Sequence, residues 1–170
     1  MATEVQTAKK AAECPQCLSG NLSWLLSQAH FALASELSAA FAPLGVSSRG
    51  YHVLAAALSG DRTQTELADL VGLDKTTMVV TIDELEAAGL AERRPSNTDR
   101  RARVIAVTEA GKAKVGEGRA LVERIQTDVL GSLPARERDA LLRSLGSLVE
   151  GRLSEPVECR PPLRRRLPRG

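Results

Sequence analysis

A mainly α-helical chain with one small β-hairpin is what the sequence predicts, and three observations carry that prediction. Apolar residues recur at helical spacing: Leu22, Leu25, Leu26, Ala29, Leu33 and Leu37 share one face, and Leu141, Leu142, Leu145, Leu148 and Val149 share another. Between Thr63 and Leu85, two short helical runs are broken at Gly72-Leu73-Asp74. A hairpin follows at once, from Leu90–Arg94 through a turn over Pro95–Ala102 to Arg103–Thr108. Two short helices joined by a tight turn and followed by a hairpin make a winged helix–turn–helix. The predicted fold class is therefore mainly α with a β-hairpin wing, flanked by long N- and C-terminal helices.

Each element has a local justification. Residues 1–17 read as a flexible leader ending in Cys14-Pro15-Gln16-Cys17. A long helix is expected from about Leu18 to Phe41, broken by Pro43 and Gly45. Ser47 or Ser48 caps a second helix through about Leu58, which Ser59-Gly60-Asp61 ends. After the helix–turn–helix and the hairpin, Thr108 is the expected N-cap of a fifth helix running to about Leu130. Glu109 is favourably placed in its first turn, and Gly116 and Gly118 weaken it locally. Pro134 suits the first turn of a last helix. From Ser154 the proline- and arginine-rich basic tail, 154–170, is expected to be disordered. Residues 18–153 form one expected domain, with the winged helix over about 47–108 and dimerisation helices over about 18–42 and 108–151. The apolar stripes of the end helices are available for each other or for a second copy.

At 170 residues the chain is one domain's worth, and 43% hydrophobic residues argue against disorder. Only four residues are aromatic, so alanine, leucine and valine must build the core. The net charge of +2 is unevenly spread. Residues 160–170 contribute +5 with no acid, leaving −3 for the remainder. Within that remainder, residues 92–103 hold five arginines against Glu92 and Asp99, a local +3. Affinity for a polyanion depends on such local contacts more than on the total. A helix presented by a tight turn fits the major groove of B-DNA, and a basic ribbon beside it can follow the phosphates into the minor groove. Double-stranded DNA is the expected partner.

No apolar segment suggests a secretory signal or a membrane span, and three cysteines, Cys14, Cys17 and Cys159, suit a reducing cytoplasm. The motifs of nucleotide-binding loops, nucleophile elbows and helical zinc proteases are absent, so no enzyme activity and no cofactor are expected.

The run Asp74-Lys75-Thr76-Thr77-Met78 is followed by Leu85-Glu86-Ala87-Ala88-Gly89-Leu90-Ala91-Glu92-Arg93. Asp99-Arg100-Arg101-Ala102-Arg103 and the closing Val107-Thr108-Glu109-Ala110-Gly111 complete the pattern. Together they resemble the MarR family of bacterial transcription regulators over roughly residues 20–150, most specifically in the Asp-x-Arg of the wing. The resemblance implies a homodimer that binds a palindromic operator, usually as a repressor; many members of the family let go when a small phenolic or lipophilic ligand, or an oxidant, arrives. It also implies that Arg101 enters the minor groove while Asp99 braces it, which suits a guanidinium beside a carboxylate. Arg100 and Arg103 would contact or support the phosphates.

The recognition helix is expected to start near Asp74, with Lys75, Thr76 and Thr77 facing DNA and Met78, Ile82 and Leu85 docking the helix on its own domain. Val79 and Val80 stand where relatives often carry a polar residue and an arginine, and Thr81 replaces a usual apolar one. Val80 is a candidate contact to a thymine methyl group.

By the same resemblance, an effector pocket would lie between the dimerisation helices and the DNA lobe, with Trp24 and His30 on the first helix and Tyr51 and His52 on the second as candidate liners. A small aromatic acid or phenol is the expected effector class. Cys14 and Cys17 admit three readings: incidental thiols, an oxidant sensor, or half of a zinc site completed by Cys159 and a histidine. A thiol-based redox-sensing regulator and a winged-helix module that binds protein without DNA are therefore the alternatives to a ligand-released regulator.

Overall fold

The computed structural model of the protein describes residues 18–96 and 102–155. The chain runs α1 (Leu22–Phe41), a single 3-10 turn (Ala42–Leu44), α2 (Ser48–Ala57), α3 (Gln64–Val71), α4 (Lys75–Ala87), β1 (Ala91–Pro95), β2 (Arg103–Val107), α5 (Glu109–Gly131) and α6 (Ala135–Glu150). It divides into two compact units, one through Glu123 and one from Arg124 on.

In the first unit the helix starts, and the ends of α3 and α4, have local causes. Asn21 caps α1 by accepting from the Trp24 amide at 2.9 Å, so the helix begins at Leu22 and not at Leu18 as the periodicity alone predicts. Ser47 caps α2 through the Gly50 amide at 3.0 Å. Two helices end in the left-handed closing turn that glycine adopts without strain: Gly72 has φ 68° and Gly89 has φ 69°. After Gly89, the Leu90 amide returns to the Leu85 carbonyl at 2.9 Å and the chain turns straight into β1.

The two strands pair antiparallel, with Ala91 opposite Val107 and Pro95 opposite Arg103. A third segment, absent from the sequence reading, completes this small sheet. Thr63 bridges Val104, and the Ile105 amide donates to the Arg62 carbonyl at 3.0 Å. The edge of β2 is thereby covered, and the approach to α3 is tied to the wing.

Val53, Leu54, Leu67, Met78 and Ile82 are fully enclosed at the centre of the core, with Phe41, Tyr51, Leu90, Ile105 and Val115 around them. Thr81 is also fully buried, and its hydroxyl donates to the Thr77 carbonyl at 2.7 Å, so the polar atom is satisfied within the helix. The glycines of α5 do not break it. A Cβ on Gly118 would sit 2.5 Å from Tyr51 Cδ2 and 3.0 Å from Phe41 Cε1, and one on Gly111 would sit 2.1 Å from the Leu90 carbonyl oxygen. These positions let the helix approach the Phe41–Tyr51 ring pair, whose centroids are 5.2 Å apart, and the entry to β1. Thr108 caps α5 as its sequence predicts: its hydroxyl accepts from the Gly111 amide at 3.0 Å and donates to the Gly89 carbonyl at 2.7 Å.

In the second unit, Pro134 occupies the N-cap of α6 and not its first turn, with the Glu137 amide donating to its carbonyl at 2.8 Å. The Arg138 guanidinium donates to the Leu133 carbonyl at 3.0 Å and the Gly131 carbonyl at 3.3 Å, placing a cation at the C-terminal end of α5. On α6, Leu141, Leu142 and Val149 are exposed. The leader, and the tail from Pro156 on, lie outside the described residues; Ser154, where the tail was expected to begin, turns back on the Gly151 carbonyl at 3.1 Å.

Candidate nucleic-acid interface

The helix–turn–helix is held in shape by side chains at its corners. Thr63 and Glu66 form a reciprocal cap on α3: Glu66 Oε2 accepts from the Thr63 amide at 2.7 Å and hydroxyl at 2.8 Å, while Thr63 Oγ1 accepts from the Glu66 amide at 3.3 Å. These two hydrogen bonds from Thr63 hold the Glu66 carboxyl below its ordinary pKa. After Gly72, the Leu73 amide donates to the Ala68 carbonyl at 2.9 Å. Asp74 then caps α4, accepting from the Thr77 hydroxyl at 2.5 Å and the Thr77 amide at 2.9 Å. Those donors, the hydroxyl first, lower the Asp74 pKa.

This cap positions the predicted contact residues. Lys75 and Thr76 are exposed at the start of α4, and Val80 is exposed one turn further on. Thr77 is half-buried, with its hydroxyl proton already given to Asp74. On the wing, Arg103 is exposed at the first position of β2 and has no ion-pair partner among the described residues. Asp99, Arg100 and Arg101 lie outside the described residues, as do Cys14, Cys17 and Cys159.

The local charge is smaller than the count of arginines suggests. Arg93 on β1 is committed to α4. Its Nη1 pairs with Glu86, and its Nη2 donates to Asp83 Oδ1 at 2.7 Å and, at 3.4 Å, to Gln64 Oε1 on α3. The Arg93 amide also donates to Glu86 Oε1 at 2.7 Å. Arg94 pairs with Glu92 on its own strand. Sequence reasoning missed this network. Its only signal is that Asp83 and Glu86, three apart on a helix, share a flank just before a glycine turn.

The four candidate ligand residues are not brought to one place by side-chain contacts. Tyr51 is buried between Phe41 and His52, with centroids 5.2 and 5.4 Å away, and serves the core. The surrounding protein desolvates the His52 ring and lowers its pKa. Trp24 is half-buried and His30 exposed on α1, and neither makes a ring contact with Tyr51 or His52 among the described residues. A half-open cleft of ≈ 260 Å³ lies elsewhere, behind α4, with Val46, Ser47, Gly50, Thr81, Glu84 and Leu85 among its walls. Among the described residues no three metal-ligating side chains converge, and no single helix is long and apolar enough to cross a membrane.

Residues 44–102, the core of the arrangement just described, match the MarR family. The fold resembles that of CouR from Rhodococcus jostii RHA1 bound to p-coumaroyl-CoA: 29% identity over 85% of this chain and 100% of that one, with a TM-score of 0.72. It resembles the transcriptional repressor CouR bound to a 23-mer DNA duplex, at 30% identity over 81% of this chain and 99% of that one, TM-score 0.70. A MarR family protein of Mycobacterium tuberculosis in complex with p-aminosalicylic acid is similar at 27% identity over 75% of this chain and 97% of that one, TM-score 0.63.

Proposed function

The chain belongs to the MarR family of DNA-binding transcription regulators, and from that premise we propose that it is a cytoplasmic repressor that binds a palindromic operator as a homodimer and is released by a small aromatic ligand. The observation that carries the DNA-binding part is the outward N-terminal end of α4. Asp74 holds the first turn, Lys75 and Thr76 face outward, and Arg93 straps the hairpin alongside. The repressor CouR, which shares this fold, is known with duplex DNA bound.

Homodimerisation is supported by apolar side chains left in solvent. Leu22, Leu25, Phe31 and Leu33 on α1 are exposed, as are Leu141, Leu142 and Val149 on α6, and a monomer has no use for such stripes. An aromatic effector is supported by the p-coumaroyl thioester and the aminosalicylate bound by the two relatives. His52, exposed on α2 with its pKa lowered by desolvation, could offer such a ligand a hydrogen bond.

Sedimentation at micromolar concentration, combined with duplex binding across a range of ionic strength, tests the reading. A dimer is expected to bind one inverted repeat, with half-sites about one helical turn apart and affinity falling steeply with salt. A monomer, or equal affinity for scrambled duplex, would contradict it.

A further inference from the structure

The outward face of α4 is chemically unusual for a helix that meets DNA. With Met78, Thr81, Ile82 and Leu85 turned into the core, helical spacing leaves Thr76, Val79, Val80 and Asp83 on the opposite side. Beyond Lys75 the helix contains no arginine, lysine, asparagine or glutamine. It therefore lacks the side chains that make bidentate contacts to guanine or adenine. Asp83, which could accept from cytosine, is engaged by Arg93 at 2.7 Å. What remains between Thr76 and Asp83 is a pair of valines, Val79 at 40% and Val80 at 47% exposure.

Two adjacent exposed β-branched side chains at the centre of the face that would meet DNA can make apolar contacts there, and the major-groove edges offer a partner. Thymine alone among the four bases presents a methyl group there, at C5. We infer that Val79 and Val80 are specificity-determining residues that read thymine C5-methyl groups in each half-site. Val80 lies next to Thr76 at the centre of the face, and Val79 lies one residue towards the flank where Arg93 holds the wing. Sequence is then read by shape-selective apolar contact on α4, while Lys75 and the wing supply charge. This inference rests on the duplex-DNA reading above.

The test uses full-length protein and duplexes selected by it from a random library. Thymines of the selected half-site are then replaced one at a time by deoxyuridine, which keeps the base pair and removes only the methyl group. At one or two positions per half-site the parent protein should lose about three- to tenfold in affinity, the size expected for one buried methyl contact. At the Val80 position, the Val80→Ala variant should lose less than about twofold, because the apolar partner is gone. Val79→Ala should lose its sensitivity at a neighbouring thymine. Selected half-sites centred on guanine, or indifference to deoxyuridine while binding still falls with salt, would overturn the inference and leave the regulator reading intact. Absence of any salt-dependent preference for selected over scrambled duplex would overturn both.

Discussion

Arg93 and Asp83 meet at 2.7 Å across the turn at Gly89, joining the first strand of the wing to the outward flank of α4. Glu86 takes the other guanidinium nitrogen and the Arg93 amide, so a single arginine sets the angle between the two parts that would approach DNA. The same pairing neutralises an acidic side chain on that flank of α4.

Arg93→Ala should therefore lower both stability and DNA affinity. The pairs are partly exposed, so the stability loss should be about 1 kcal/mol. Affinity should drop further, because Asp83 and Glu86 are left uncompensated beside the duplex. Thermal melting and fluorescence anisotropy with labelled duplex measure the two effects. A variant that melts lower but binds as tightly as the parent would show that the strap serves the fold alone.

Arg101 and Lys75 should behave differently from Arg93 and from each other. Arg101→Ala is expected to weaken operator binding by about 1–3 kcal/mol while leaving helix content and dimerisation unchanged, as befits a minor-groove contact. Lys75→Ala should weaken all duplexes alike and flatten the salt dependence, as befits a phosphate contact. Titrations of operator and scrambled duplex at several salt concentrations separate the two patterns.

The capping carboxylates predict an acid limb of stability. Asp74 and Glu66 both have folded pKa values below their unfolded ones, so the stability they contribute is complete above the unfolded value and is lost as pH falls through the folded value. Melting temperature should decline below about pH 4. Asp74→Asn keeps a good cap and should blunt that decline, whereas Asp74→Ala should lower stability at neutral pH as well. Equal acid sensitivity in the parent and Asp74→Asn would place the limb elsewhere.

Two glycines only two residues apart on α5 should respond with opposite signs. Gly118→Ala pushes a methyl group to 2.5 Å from the buried Tyr51 ring and should cost about 1–3 kcal/mol. At Gly116 nothing lies within 4 Å, and Gly116→Ala should gain about 0.5–1 kcal/mol from helix propensity. Chemical denaturation of both variants checks the pair.

An aromatic acid or phenol that acts as effector should quench the single tryptophan, Trp24, saturably and release operator over the same concentration range. Quenching without release would mark a site uncoupled from DNA.

The sequence by itself determined the helix–turn–helix and where its helices start. The signals are interactions within one turn of chain: Thr63 with Glu66, Asp74 with Thr77, and the left-handed turns at Gly72 and Gly89. Such contacts form within one turn of chain, so residue type and spacing suffice to read them. Periodicity alone places the start of α1 four residues early, because Leu18 extends the apolar spacing past the cap at Asn21. Only the tertiary structure decided that Arg93 is committed, since it finds Asp83, Glu86 and Gln64 on two helices. It likewise decided the pairing of Thr63 with Val104, and that Gly118 makes room for the Tyr51 ring. Those partners lie from seven to sixty-seven residues apart in the chain, and packing alone brings them together.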